Sequence, residues 1–237
     1  MKILKVFSIL LTYPSEVLQQ AIPEMRALVR QDTHVKDGAE LVEPLLYALE
    51  HDDLYDSQER YVLLFDRSRS LSLNLFEHIH GESRDRGGAM VDLLDTYRAG
   101  GFDLNASELP DHLPVLLEFL STQSRQEAQS ILQDAGHILV ALTERLQRRG
   151  SPYAAVLQAL VRFSEASSHT AEAQILLQEE MDDPENLEAL DEVWEEAQVT
   201  FGLDAAAGCA PNAKQNSKLG PTEHPIHLQR SVSRPAQ

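Results

Sequence analysis

The stretch "SLSLNLF", Ser70 to Phe76, decides the fold class. Leu71, Leu73 and Leu75 alternate with polar residues, which is the period of a half-buried strand. Nothing else in the 237 residues comes as close to a strand. A sheet needs partners, and no second run alternates between Asn-Gly or Asp-Gly turns. One extended segment without a partner makes no sheet. The chain therefore reads as all-α, a single-domain helical bundle of about ten helices.

Outward from that segment the pattern is helical. The first residues, "MKILKVFSILLTYP", imitate a secretion signal, but Lys5 interrupts the apolar run, Tyr13-Pro14 ends it, and no small-x-small site follows. They read as an amphipathic helix with Leu4, Phe7, Leu10 and Leu11 on one side. Gly100-Gly101 after "MVDLLDTYRA" stops a helix. Asp111 or Ser107 could cap the segment through "LPVLLEFL". Ser124 and Glu127 form a capping box ahead of Ala128, Ile131 and Leu132. Gly136 bends or separates two helical stretches. Ser151 caps, and Pro152 opens, a helix through "YAAVLQALVRF". Leu187, Leu190, Trp194, Ala197 and Phe201 draw one apolar stripe down a later helix. No apolar run reaches the roughly 20 residues that span a bilayer.

From about Asp204 the character changes. Pro211, Pro221, Pro225 and Pro235 punctuate a segment with few large apolar residues and no periodicity. The expected organisation is a helical domain over 1–203 and a flexible tail over 204–237.

The formal net charge is -18. That argues against binding nucleic acid or anionic membrane, where a basic face supplies most of the affinity. A cationic partner would be attracted instead. Acidity is concentrated in two places: Asp37 to Glu59, and the run Glu179, Glu180, Asp182, Asp183, Glu185, Glu188, Asp191, Glu192, Glu195 and Glu196, which contains no Lys or Arg. Each is a solvated helix face or a landing surface for a basic segment. The one cysteine, Cys209, permits no intrachain disulfide and no multi-Cys metal site, and suits a reducing compartment. There is no G-x-x-x-x-G-K-[ST] loop, no G-x-G-x-x-G after a strand and no G-x-S-x-G elbow.

The remaining chemistry is in "FEHIHGESRDRG", Phe76 to Gly87. Three readings stand. In the first, His78 and His80 hold a metal with oxygens from Glu77, Glu82 and Asp85. On a helix, however, residues two apart are splayed by about 200°, and H-E-x-x-H is missing. In the second, Glu82, Arg84, Asp85 and Arg86 alternate in sign and lock the loop, while Glu77 and Asp85 face outward. The histidines would then be pH-sensitive contacts. In the third, the cluster only pins a connection between helices. "ELPDHLPVLLEFL", Glu108 to Leu120, is the other unusual stretch. Pro110 and Pro114 flank Asp111-His112 and stiffen a helix entry.

"LFDRSRSLSLNLFEHIHGESRDRGGAMVDLL" (Leu64 to Leu94), "ELPDHLPVLLEFL" and "LDEVWEEAQVTF" (Leu190 to Phe201) together resemble the NarJ/NarW family. These are the dedicated assembly chaperones of the membrane-bound respiratory nitrate reductase. The resemblance runs from about Ile3 to Phe201 in the same motif order. It implies an all-helical, non-catalytic cytoplasmic protein with no cofactor of its own. Its partner would be the N-terminal, leader-like segment of the nitrate reductase catalytic subunit, held until the molybdenum cofactor is inserted and the complex can dock at the membrane. The machinery that delivers the molybdenum cofactor is a further candidate partner. Nucleic-acid binding and membrane insertion are not expected. By position, Glu77, His78, His80, Glu82 and Asp85 form a polar rim for that peptide, with Asp111, His112 and Glu118 nearby. Tyr97, Leu116 and Phe119 form an apolar wall, and Arg84 and Arg86 buttress the loop. Two alternatives stay open: a chaperone for another molybdoenzyme with a twin-arginine leader, and a metal-dependent hydrolase using His78 and His80.

Overall fold

A computed structural model describes residues 1–35, 37–81, 83–104, 108–167, 170–179 and 181–182. The expected Leu187–Phe201 stripe and the expected tail from 204 lie outside the described residues, as does Ser107. Eleven α-helices are present among the described residues: α1 Lys2–Leu10, α2 Glu16–Gln31, α3 Gly38–His51, α4 Leu54–Tyr61, α5 Glu77–His80, α6 Arg84–Ala99, α7 Leu113–Thr122, α8 Arg125–Asp134, α9 Gly136–Arg148, α10 Ala154–Ser164 and α11 Ala171–Gln178. A π-helical turn, Val62–Asp66, continues α4, and a 3-10 turn, Arg69–Leu71, follows. The all-α expectation holds.

The core is drawn from several helices, among them α1, α7, α9 and α10. In α1, Ile3, Leu4, Val6, Phe7 and Leu10 are all buried, more than the one-sided stripe Leu4, Phe7 and Leu10 demands. The extra burial arises because α1 packs against both α7 and α2. Ser8 donates from Oγ to the Pro114 carbonyl at 2.7 Å, which satisfies a buried hydroxyl on the α7 side. Helix α9 packs against α10 and α11 and is buried almost all round, from Gly136 through Leu146. At about 25 cal/mol per Å² of apolar area removed from water, such helices supply most of the folding drive.

Local signals acted where expected. Ser124 and Glu127 make the reciprocal capping box of α8. Gly100 ends α6, and Gly101 follows at φ +74°, a conformation that a residue with a Cβ rarely adopts. Gly136 separates α8 from α9. A Cβ built there would stand 2.6 Å from Ala166 Cβ, so only glycine permits this approach. One start differs from expectation. Ser151 and Pro152 form a turn and α10 begins at Ala154. The Ser151 Oγ accepts from Tyr153 N–H at 3.3 Å, one turn too early to cap the helix.

Helix α6 is the exception to good packing. Among its described side chains only Tyr97 is buried. Its hydroxyl donates to the Pro110 carbonyl at 2.6 Å, and its ring lies against Phe102 and Phe119.

Gly136→Ala is expected to lower the unfolding free energy by about 1–3 kcal/mol, because two Cβ atoms cannot share that space. Urea unfolding measures it. An unchanged or raised midpoint would mean that the α8–α9 corner relaxes without cost.

Candidate functional site

The alternation reads as an extended segment, but only Asn74 makes a bridge: Leu75 and Phe76 already turn into α5, with Phe76 helical at φ -73° and ψ -14°, while Leu71, Leu73 and Leu75 are all buried in the core. The partner of this segment is not a strand but the short stretch Asp111 to Leu113. Leu75 N–H donates to the Asp111 carbonyl at 3.0 Å, and Leu113 N–H donates to the Leu73 carbonyl at 2.8 Å. Asn74 and His112 form the isolated antiparallel bridge between them. The Asp111 carboxylate closes the clasp by accepting from Phe76 N–H through Oδ2 at 3.1 Å.

This overturns the expectation that Asp111 caps α7. The α7 N-cap is His112, with no side-chain bond to the helix, and Asp111 caps the turn into α5 instead. The reason is competition for donors. Leu113 N–H, one of the free amides at the start of α7, is already bonded across the clasp to Leu73.

The block after the clasp forms one short helix and the start of the next. In α5, Glu77 is half-buried and accepts from Ser72 Oγ. His78 donates from Nε2 to the Ser72 carbonyl at 2.8 Å. His80 lies edge-on to Phe76, with ring centroids 5.9 Å apart. His78 and His80 thus have separate partners. Among the described residues no group of three or more His, Cys, Asp or Glu gathers as metal ligands would. Asp85 is exposed. Glu82 and the Arg84 side chain lie outside what the structure describes. Arg86 bridges two elements: Nη1 is 3.7 Å from Glu77 Oε1 and Nη2 is 3.6 Å from Asp111 Oδ2.

The other expected residues are placed differently from one another. Glu118 is half-exposed and ion-paired with Lys5, tying α7 to α1. His112 is mostly buried, 3.8 Å from Glu108 Oε2. Tyr97, Leu116 and Phe119, expected as an apolar wall, are in the core, with Tyr97 fully covered. An apolar helical stripe says which face is dry but not whether core or ligand dries it. Asp111 is likewise fully buried.

Two features were not anticipated. Arg145, on the otherwise apolar face of α9 beside Leu142 and Leu146, is 1% exposed. It donates to the Ser70 carbonyl at 2.8 Å, to the Leu176 carbonyl and to Glu179 at 3.0 Å. Arg149 donates to the Asp182 carbonyl, and Ser68 and Ser70 donate to the Asp182 carboxylate. A charged residue at the spacing of an apolar stripe was the available signal. The second feature is an open cleft of about 280 Å³ lined by Tyr13, Tyr55, Gln58, Glu59, Val62, Leu63 and Arg67. Tyr55 is 80% exposed on its edge. The π-helical turn forms one wall, a distortion frequent where helices serve a site. At the end of that turn Asp66 feels the charges of His112 and Glu108. Burial holds the Asp66 carboxyl above the ordinary carboxylate range.

Burial also holds the His78 and His112 imidazoles below their ordinary value of 6.5. For His78 the Ser72 hydrogen bond opposes this, and the Arg145 charge adds to it. Both stay neutral in the folded protein at pH values where the unfolded chain is already protonated. The unfolded chain then binds more protons, so stability falls as pH drops from 6.5 through the depressed folded value.

Two expectations follow from these contacts. Between about pH 7 and pH 5 the urea midpoint of His78→Gln should fall less steeply than that of the wild type, and equal slopes would remove His78 from this account. Arg145→Met should cost about 3 kcal/mol or more in urea unfolding, since it leaves the Ser70 and Leu176 carbonyls unpaired. A loss under about 1 kcal/mol would show that the clamp is dispensable.

The profile of the nitrate reductase delta subunit family matches residues 31–159. The chain is 43% identical over 207 residues to the nitrate reductase molybdenum cofactor assembly chaperone NarJ of Escherichia coli strain K12, covering 86% of this chain and 87% of that protein. It is 42% identical over 211 residues to the probable assembly chaperone NarW of the same strain, covering 88% and 87%. A probable NarJ of Bacillus subtilis strain 168 is 31% identical over 157 residues, 65% of this chain and 83% of that one. With a family match across more than half its length and relatives aligned nearly end to end, the chain belongs to the nitrate reductase delta subunit family, alongside the NarJ and NarW assembly chaperones.

Proposed function

We propose that this protein is a dedicated cytoplasmic assembly chaperone. It binds the N-terminal segment of the respiratory nitrate reductase catalytic subunit and keeps that subunit competent for molybdenum cofactor insertion before the complex docks at the membrane. The observation that carries this reading is the near full-length likeness to NarJ and NarW. No helix of the described residues is long and apolar enough to cross a membrane.

The geometry supports a peptide site at the cleft and along its acidic edge. The tyrosines Tyr13 and Tyr55 with Val62 and Leu63 offer an apolar seat for one face of a helical or extended segment. Glu59 and Arg67 line the same cleft, and Asp66, next to Arg67 in the chain, feels the charges of Glu108 and His112. Carboxylates around an apolar seat attract a cationic segment and set its register. Glu77, His80 and Asp85, on α5 and at the start of α6, are the proposed further contacts of the same segment. Asp111, Tyr97, Leu116 and Phe119 serve from inside, by holding the clasp and α7 in place rather than by touching the peptide in the conformation described. Aromatic anchors on an open seat give affinities in the micromolar range or somewhat below, compatible with release.

Calorimetry with a synthetic N-terminal peptide of a nitrate reductase catalytic subunit tests this reading. The wild type is expected to bind, and Tyr55→Ala combined with Glu59→Gln to weaken binding about tenfold or more. No binding by the wild type would end the peptide reading. Tighter binding to a twin-arginine leader from a different molybdoenzyme would transfer the function to that enzyme.

A further inference from the structure

Arg86 sits in an ion-pair arrangement that satisfies neither side. Its two terminal nitrogens are 3.7 Å and 3.6 Å from Glu77 and Asp111, both outside hydrogen-bond reach. Its Nε is buried and has no partner among the described residues. Asp111 Oδ1 is buried and equally unpartnered, as is His112 Nδ1 beside it. A buried carboxylate that forgoes a hydrogen bond leaves part of its desolvation cost uncompensated, and so does the guanidinium facing it. The seat formed by Glu77 and Asp111 thus holds a cation but holds it poorly.

The element that carries Arg86 is also poorly held. Arg86 is at the start of α6, where Gly87 and Gly88 follow, both with open space around them. Two consecutive glycines have the lowest helix propensity of any residue but proline. Leu93 and Leu94 of α6 are partly buried against the core, and no described side chain before them in α6 is fully buried. Arg86 can therefore leave its seat by local movement of the first turns of α6, with the Tyr97 anchor and the core intact.

We infer that Arg86 is an internal substitute for the client's own cation. In the unliganded protein it occupies the Glu77–Asp111 seat; on binding, a Lys or Arg of the client's N-terminal segment takes that seat and Arg86 moves out with the start of α6. The inference rests on the reading above, that the client segment is cationic and binds beside the clasp. It makes Arg86 a specificity-determining residue: a segment without a correctly spaced cation cannot compensate the seat and leaves the latch shut. It also lowers the apparent affinity for a cationic client, because only the unlatched fraction can accept the client's cation in the seat.

Two synthetic peptides test it: the N-terminal segment of a nitrate reductase catalytic subunit, and the same sequence with norleucine at every Lys and Arg. Arg86→Gln is expected to bind the cationic peptide about tenfold more tightly than the wild type does, with no gain for the norleucine peptide. Weaker or unchanged binding of the cationic peptide overturns the latch, and so does an equal gain for both peptides. Should Arg86→Gln fail to fold, Arg86→Lys, which keeps the charge but loses the fork, is expected to show the same peptide-dependent gain at smaller size. Hydrogen exchange on the wild type gives an independent reading. Amides at the start of α6 should exchange faster with the cationic peptide bound, and unchanged or slower exchange overturns the proposal. If the wild type binds neither peptide, the proposed function falls and the latch with it. If it binds and Arg86 has no influence, only the latch falls.

Discussion

A single carboxylate with no exposed surface joins two segments that are 35 residues apart. Asp111 accepts the Phe76 amide through its side chain and the Leu75 amide through its carbonyl, while Leu113 donates back to Leu73. The clasp satisfies the Leu75 amide and the Leu73 carbonyl, and the Leu71 amide is bonded to the Ser68 carbonyl in the 3-10 turn, so these leucines are buried without a sheet. The clasp bonds also fix where α5 starts, and therefore where Glu77 and His78 point. The same contacts make the core and present the polar block, so a change at Asp111 acts on stability and on the block together. Placing a carboxylate there is costly, and backbone donors with a nearby guanidinium offset that cost only in part.

Much of the fold was legible because its signals are local. The capping box of Ser124 and Glu127, the stop at Gly100-Gly101 and the break at Gly136 each depend on a few neighbouring residues, and each is where the sequence places it. Leu4, Phe7 and Leu10 mark the buried side of α1 for the same reason. The site was less legible. Asp111 beside Pro110 looks like a helix cap, and nothing local says that its donor is 35 residues away. Tyr97, Leu116 and Phe119 are apolar at helical spacing, and the same spacing serves a groove or a core. The cleft combines residues from the end of α1, from α4 and from the π-helical turn, a gathering no single stretch announces. Arg145 was the readable exception: a guanidinium set among Leu139, Leu142 and Leu146 needed buried acceptors, and it has them.

Among the described residues, Arg145 is fully buried and Arg149 is mostly so. Arg145 and Arg149 reach from α9 to the Ser70 carbonyl, to the end of α11 and to Asp182. This fixes the beginning of the acidic run, Glu179 to Asp182, against the 3-10 turn that leads into the clasp. A chain with net charge -18 could spread its carboxylates evenly for solubility. Here the first of the dense run is attached within a few residues of Ser72 and Glu77. Charges concentrated beside one surface raise the encounter rate of an oppositely charged segment there, an effect that distributed charge does not provide.

Affinity and release make opposite demands on such a site. Deep burial of the client's aromatic or aliphatic residues would give tight binding, but a client that must be handed on needs a dissociation rate compatible with assembly. An open cleft of about 280 Å³ seats only a few side chains, so the apolar contribution is limited by its size. Selectivity then has to come from somewhere other than area. Buried polar atoms left unpartnered, such as Asp111 Oδ1 and His112 Nδ1, give discrimination without much net affinity. A matching group that satisfies them gains, whereas one that merely covers them leaves their desolvation uncompensated. An under-satisfied polar cluster and a cleft of limited size therefore fit the proposed role of recognising one segment and then letting it go.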